Sequence, residues 1–391
     1  MPRVYLDNAA TTPINDLALQ ALIEQSREIG NASSLHGFGR EVRKRVEESR
    51  EKLAGLIDCH PSEIIFTGSG TEANNLAIKG IYWHRRAAEP KRKILIISAF
   101  EHHAVLDPVQ WLRESEGAEV IEVPVDASGV IVVDDLRAVL AERGDEVALI
   151  SIMHSNNEVG TLQPIDQVVE LAKPLGIPVH SDAIQSFGKV RLSYAELGLF
   201  AMTVSAHKIG GPVGVGALIL RRGVDITPIL HGGGQERDIR SGTVNAPSIV
   251  AFTTAAQVAL RSLNESAQYV SELRDKLAIA IMAAVPDAVI NGTGPKKLPG
   301  ILNILFPNTE SDSLLLLFDS EGIACSTGSA CSAGVQQASH VLLAMGRSER
   351  EARSSLRFSL GPNNSVNDLE YFSTCISRVI ERARAAYRST V

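Results

Sequence analysis

The chain has 391 residues, 45% hydrophobic and 21% charged, with a formal net charge of −7. That length supports one large and one small domain around a sizeable core and excludes a disordered chain. The negative balance and an aromatic content of 5% argue against a nucleic-acid-binding face.

VYLDNAATTP opens as a short strand. Leu17, Leu19, Leu22 and Ile23 then give helical spacing over residues 15–29, with Asn15 as a candidate N-cap. GNASSLHGFG, rich in Gly, Asn and Ser, reads as a loop. A charged helix follows over about 40–57, and its REVRKRVEESREKL run reads as a solvated face with i,i+4 ion pairs. Strands and helices then alternate: EIIFTG and SGTEANNLAIKGIYWHRRA, KILIIS and HHAVLDPVQWLRE, EVIEVPV and DDLRAVLAE, VALISIMH and IDQVVELAKPLG, and then IPVHSD. This pattern predicts an α/β fold whose large domain carries a mostly parallel mixed sheet covered on both faces. Ligands of such sheets sit beyond the carboxyl ends of the strands. Residues 68–72, 101–103, 154–158, Asp182 and Lys208 are therefore expected to converge.

Past about residue 260 the texture changes. A helix over about 264–284 stops before Pro286; ILNILF, a helix in LLLLFDSEG, the small-residue run STGSACSAG, a helix at 341–345, the strand SLRFSL and a last helix over about 367–388 follow. These predict a smaller α+β C-terminal domain. The expected division is a large domain over 14–260 and a small domain made of 1–13 and 261–391, with the boundary inside a long helix near residue 260.

The chemistry concentrates in HSDAIQSFGKVRLSYAELGLFAMTVSAHKIGGPVGVGALIL. Asp182 ends an apolar run, and Lys208 comes 26 residues later, just after Ser205 and His207 and before a glycine-rich turn. A lysine can form a Schiff base with pyridoxal phosphate, and an acid can keep the pyridinium nitrogen protonated. An acid at a strand end and a lysine on a surface turn is the competing reading, and the stretch alone does not choose. In TGSGTEANN the backbone N–H groups and positive helix end suit a phosphate, with Gly70 and Thr71 as contacts. An ordinary capping turn looks the same, and GxxxxGK[ST] is absent. His102 could stack on a planar ring or be a plain histidine near a helix start. Asn157 and Gln185 can donate hydrogen bonds to a ring oxygen or a carboxylate. Arg357, between apolar strand residues, suits a carboxylate clamp or a solvent-facing edge.

The cysteines are Cys59, Cys325, Cys331 and Cys375. Their spacings match no zinc site, no metal is expected, and this usage suits a reducing compartment. MPRVYLDNAATTP has no apolar signal core and no apolar run reaches about 18 residues, so a cytoplasmic location away from any membrane is expected. Cys331, in CSTGSACSAG, is expected on an exposed, mobile loop as a candidate nucleophile. Cys325 follows an apolar strand pattern and reads as a core thiol; Cys59 and Cys375 read as structural.

With these residues assembled, the chain resembles the cysteine desulfurases of the NifS/IscS group, pyridoxal-phosphate enzymes of fold type I in the class-V aminotransferase family. YLDNAATTP, NASSLHGFGR, FTGSGTEANN, EHHAVL, NNEVG, HSDAIQSFGK, SAHKIGGP, GGGQERDIRSGT, STGSACSAG and SLRFSLG carry the likeness, in that order. STGSACSAG is similar to the members with a long cysteine loop rather than to the SufS-like ones. The resemblance implies pyridoxal 5'-phosphate bound through Lys208. Asp182 would pair with the pyridinium nitrogen, His102 would stack on the ring, and Gln185 would hydrogen-bond the ring oxygen. Gly70, Thr71, Ser205 and His207 would hold the phosphate. Thr243 would reach the cofactor phosphate of a partner subunit, which implies a homodimer. Asn157 and Arg357 would bind the substrate carboxylate.

The implied reaction converts L-cysteine to L-alanine. The freed Lys208 amine takes the α-proton, and the Cys331 thiolate takes the sulfur as a persulfide. An acceptor such as an iron–sulfur scaffold protein or a tRNA-thiolation relay would receive it. Two departures stand out: Val213 makes GPVG where the family often has GPKG, and Cys325 stands where an aliphatic residue is usual. Selenocysteine lyase or cysteine sulfinate desulfinase activity, a pyridoxal-phosphate aminotransferase, and a non-catalytic sulfur-relay scaffold are the alternatives.

Overall fold

The computed structural model describes residues 3–294, 296–328 and 337–390. Asn15 Oδ1 accepts the Leu17 N–H at 2.9 Å and starts α1 (Asp16–Ser26). α2 (Gly37–Ile57) begins three residues earlier than its charged pattern suggested, because His36 Nδ1 accepts the Gly39 N–H at 3.3 Å and caps it. The end of GNASSLHGFG is therefore helix, not loop.

The strands β1 (Val4–Tyr5), β2 (Ile64–Thr67), β3 (Ile94–Ser98), β4 (Glu119–Val123), β5 (Val147–Ser151), β6 (Val179–Asp182), β7 (Ala201–Ser205) and β8 (Gly216–Leu220) follow in chain order. All but β1 form a seven-stranded sheet in the order β2-β8-β7-β6-β5-β3-β4. Its members from β7 to β4 are parallel, while β8 runs antiparallel to both β7 and β2. The direction of β8 follows from its connection: the ten residues 206–215, which carry Lys208, are too few for a crossover.

Side chains alternate between the sheet's two faces. Ile64, Phe66, Ile94 and Ile96 share one core with α2, α5 (Val133–Arg143), α6 (Ile165–Ala172) and α8 (Ala246–Arg261). Ile65, Leu95 and Ile97 share the other with α3 (Gly70–Ala88) and α4 (His103–Glu116). Both faces are covered, so the strands read as unbroken apolar runs. A short α7 (Tyr194–Leu197) precedes β7 and was not signalled by periodicity.

Ser262 (φ −103°, ψ 16°) separates α8 from α9 (Leu263–Ala284), so the expected continuous helix near residue 260 is interrupted. β9 (Val289–Asn291), β10 (Ile301–Leu305) and β12 (Ser355–Ser359) form an antiparallel sheet with β10 in the centre. β11 (Ile323–Ala324) pairs in parallel with β1. α10 (Ser311–Ser320), α11 (His340–Ala344), α12 (Glu349–Arg353) and α13 (Val366–Thr390) complete the chain. Val4 and Leu6 pack into a core with Leu273, Leu314, Phe358 and Phe372. Phe318 stacks on Phe372 with centroids 5.4 Å apart, and Phe358 meets Phe372 edge-on. No helix among the described residues is long and apolar enough to cross a membrane.

Candidate active site

The carboxyl ends of β2, β3, β5, β6 and β7 open onto a cavity of about 410 Å³. Gly70, Thr71, His102, Asn157, Asp182, Gln185, Ser205, His207, Lys208 and Arg357 all line it. Residues from segments nearly 290 positions apart thus meet in one place, as the strand-end rule anticipates.

At one side α3 begins. Ser69 Oγ caps it through the Glu72 N–H at 3.0 Å, which leaves the Gly70 and Thr71 amides without intrahelical partners. Gly70 packs closely here: a Cβ there would lie 2.3 Å from Ile184 Cδ1, just past the end of β6, so that side-chain tip would have to move. Ser205, at the end of β7, is buried beside this helix start. Burial, with the Lys208 and Lys189 charges, pushes the pKa of His207 down to about 4.

The acid side is built on β6. Asp182 is buried; its Oδ1 accepts the Ile184 N–H at 2.9 Å and its Oδ2 accepts Asn74 Nδ2 at 2.6 Å. Burial raises its pKa, while these two bonds and the nearby His102 and Lys208 favour the ionised form. His102 caps α4, accepting the Ala104 N–H on Nδ1 at 3.0 Å, so the neutral ring carries its proton on Nε2. The protein packed around that ring lowers its pKa.

Lys208 Nζ donates to the carbonyls of Ala9 at 2.6 Å and Ala10 at 2.7 Å. Burial first, and the Arg357 charge second, pull its pKa down to about 8. Gln185 Nε2 donates to the same Ala9 carbonyl at 2.8 Å, and Gln185 Oε1 accepts Lys189 Nζ at 3.0 Å.

Arg357 is 4% exposed, which removes the solvent-facing reading. Asp7 and Ser326 bridge to β12 and cover its outer edge. Nη2 donates to Asp7 Oδ1 at 2.7 Å and Nη1 to the Asn157 carbonyl at 3.0 Å, while Nε has no partner among the described residues. It is the carbonyl of Asn157, rather than its side chain, that contacts the arginine.

Residues 4–372 match the family model described as aminotransferase class-V. The chain belongs to the class-V aminotransferase family. It is 50% identical over 98% of its length to the "IscS-like cysteine desulfurase" of Mycobacterium tuberculosis, covering 97% of that protein. It is 42% identical over 97% of its length to the "Cysteine desulfurase IscS" of Dictyoglomus turgidum, covering 95% of that protein. A solved structure titled "NIFS-LIKE PROTEIN" superposes with a TM-score of 0.89 at 37% identity, over 97% of this chain and all of that one.

The class-V aminotransferase cofactor is pyridoxal 5'-phosphate, and the donor set suits it. Unpaired helix-start amides beside Ser205 and His207 suit a phosphate. A buried carboxylate suits a pyridinium nitrogen, and an amine with a pKa near 8 suits Schiff-base chemistry.

One expected participant among the described residues lies apart from this cavity. Thr243 is exposed and does not line it. The loop before Thr243 is held by Arg240 Nε donating to Glu72 Oε1 at 2.7 Å and by Glu236 receiving Arg50 Nη2 at 2.8 Å. Val213 is 73% exposed and also off the cavity. Cys331 lies outside the described residues. Cys325 is buried, and burial pushes its thiol pKa up, as expected of a core thiol.

Sequence reasoning missed Asp7, Asn74, Lys189 and His340; it placed Glu101 and Glu158 among the converging strand ends but gave them no role. Asp7 and Asn74 lie inside the motifs YLDNAATTP and TGSGTEANN, the one signal that marked them. Glu101 is fully buried; Ser98 Oγ and the Met153 N–H both donate to Oε1, and burial lifts its pKa to about 8.

Proposed function

We infer that this protein is a pyridoxal-phosphate-dependent cysteine desulfurase, converting L-cysteine to L-alanine and passing the sulfur through Cys331 to an acceptor. The observation that carries the reading is Lys208, Asp182 and Arg357 in one cavity of a chain 50% identical to a protein of that name.

Bound pyridoxal phosphate supplies an electron sink for the carbon bearing the substrate amino group. The Gly70 and Thr71 amides, Ser205 and His207 would hold its phosphate, Asp182 would pair with its ring nitrogen, and His102 and Gln185 would hold the ring and its oxygen. Arg357 orients the substrate carboxylate with Asn157. Lys208, with a pKa of about 8, is partly neutral near neutral pH and takes the α-proton. The Cys331 thiolate then attacks the substrate sulfur. A sulfur–sulfur bond forms and the carbon–sulfur bond breaks, its electron pair staying with the carbon that is protonated to give alanine.

The same reading divides the chain into a large domain over 14–260 and a small one made of 1–13 and 261–391. The packing of Val4 and Leu6 with Leu273, Leu314 and Phe372 supports that division. It also makes the enzyme a homodimer in which Thr243 reaches the partner's cofactor phosphate. Thr243 being off its own chain's cavity supports this, as do the exposed apolar side chains of Ile29 (77%), Leu35 (81%) and Phe38 (66%). An iron–sulfur scaffold protein or a tRNA-thiolation relay is the acceptor this reading expects. Free cysteines at 59, 325 and 375 suit its cytoplasmic location.

The test is alanine and sulfide release from L-cysteine by wild type, Lys208→Ala and Cys331→Ala. Both variants are expected to be inactive, and Lys208→Ala to lose the cofactor's Schiff-base absorbance. Full turnover by Lys208→Ala overturns the reading. Full turnover by Cys331→Ala moves the chemistry to an aminotransferase or to a lyase that needs no thiol.

A further inference from the structure

A second cavity, of about 470 Å³, shares Ala9 and Lys208 with the first. Its size is that of a small-molecule site. Val258 of α8 and Leu263 and Val270 of α9 line it, and Ile209, Leu298 and Leu360 extend the apolar wall. Nothing in the chemistry above uses this space.

The walls are fastened to one another. Asn15 N–H donates to the Gly210 carbonyl at 2.8 Å, Gly210 N–H donates to Thr12 Oγ1 at 2.8 Å, and Thr12 Oγ1 donates to the His207 carbonyl at 2.9 Å. These bonds tie the N-terminal segment to the turn that carries Lys208. Leu360 N–H donates to the Gly300 carbonyl at 2.8 Å. A Cβ on Gly300 would lie 2.2 Å from the Leu360 carbonyl oxygen, so two backbones meet there directly. The cavity is thus formed before any ligand arrives, which lowers the ordering cost of binding.

The lining holds two cations, Lys189 and Lys208, against one acid, Asp16, which is exposed on the first turn of α1. Lys208 Nζ is already engaged by the Ala9 and Ala10 carbonyls. Lys189 is not: its Nζ donates one hydrogen bond among the described residues, to Gln185 Oε1 at 3.0 Å, although an ammonium carries three donors. Burial, and then the Lys208 and Arg357 charges, pull its pKa down to about 7. An amine packed among apolar walls and like charges lacks a counterion, and an incoming carboxylate supplies one.

We propose that this cavity is a second ligand site, taking a small monocarboxylate with an apolar body whose carboxylate sits on Lys189. The apolar wall from α8, α9 and Leu360 takes the body, and the charge balance of the lining sets the sign of the head. The site does not depend on which reaction the first cavity performs, because binding alone reads it.

The experiment titrates the holoenzyme with octanoate, and with 1-octanol as the same body without the charge, by calorimetry. One octanoate per chain is expected, with 1-octanol at least about tenfold weaker, the loss of one charge-assisted hydrogen bond. Lys189→Met is expected to weaken octanoate by about the same factor and to leave 1-octanol unchanged, a difference that a merely structural lysine does not produce. Ala267→Phe fills the cavity from α9 and is expected to weaken both ligands while the cofactor band stays. Absence of saturable octanoate binding overturns the proposal, as does equal affinity for octanoate and 1-octanol. Unchanged octanoate binding in Lys189→Met or in Ala267→Phe also overturns it. Displacement of octanoate by saturating L-alanine would put the carboxylate on Arg357 and overturn it as well. Should Lys189→Met not fold, the 1-octanol comparison and Ala267→Phe, which leave Lys189 intact, decide.

Discussion

Arg357 and Asp7 form a charged pair across 350 residues of sequence, Nη2 to Oδ1 at 2.7 Å, with the arginine side chain 5% exposed and the aspartate 21%. The N-terminal strand region thereby orients the candidate carboxylate clamp. Removing one partner of such a pair strands the other's charge.

Asp7→Ala is accordingly expected to lower unfolding free energy by about 2–3 kcal/mol, below the loss for a fully buried pair because Asp7 is partly exposed. Asp7→Asn keeps an accepting oxygen and should lose less. Urea unfolding measures both, and an unchanged midpoint for Asp7→Ala would show that the pair contributes nothing.

The Lys208 pKa of about 8 makes a pH prediction. Its neutral amine is the nucleophile that captures an aldehyde. Between pH 7 and pH 9, recapture of pyridoxal phosphate by the apoenzyme should rise roughly tenfold and then level off. An unshifted lysine would instead give a roughly hundredfold rise that is still climbing at pH 9. Stopped-flow absorbance separates the two curves.

If Thr243 acts across a dimer, inactive variants will complement each other. Mixed dimers of Thr243→Asp and Lys208→Ala contain one site with wild-type Lys208 and the partner's wild-type Thr243. Random reassortment should restore roughly a quarter of wild-type activity, since half of the dimers are mixed and each has one intact site. Activity equal to the sum of the separate variants would place Thr243 in its own chain's site.

Thiol reactivity should be confined to one residue. Burial pushes Cys325 up strongly and Cys59 up to about 12, and Cys375 is 1% exposed. A thiol-alkylating reagent at pH 8 should therefore label native wild-type enzyme fast at Cys331, with the fast phase lost in Cys331→Ala. Cys325→Ala should keep its turnover. Rapid labelling at Cys325, found by peptide mass mapping, would contradict its placement in the core.

Much of the fold was legible because its signals are local. Apolar runs and turn residues located the strands, and alternation implied a covered sheet with its ligands at the carboxyl ends. The start of α2 was misread because a histidine cap is a weaker sequence signal than Asn or Ser. β9 and the short helices α7 and α12 have too few residues to display a period. The break at Ser262 carries no glycine or proline to announce it.

By itself, the sequence determined which side chains are candidates for the chemistry: the lysine between two strands, the acid at a strand end, the glycine at a helix start and the arginine in the strand near the C-terminus. Each is marked by its immediate neighbours. Only the tertiary structure decided what holds them. Lys208 rests on the Ala9 and Ala10 carbonyls, Asp182 on Asn74, Arg357 on Asp7, and Ser339 on Glu158. Those contacts join residues 108 to 350 positions apart. A buried polar group must find a partner wherever the packed chain supplies one, and that position is settled by packing, which no local pattern encodes.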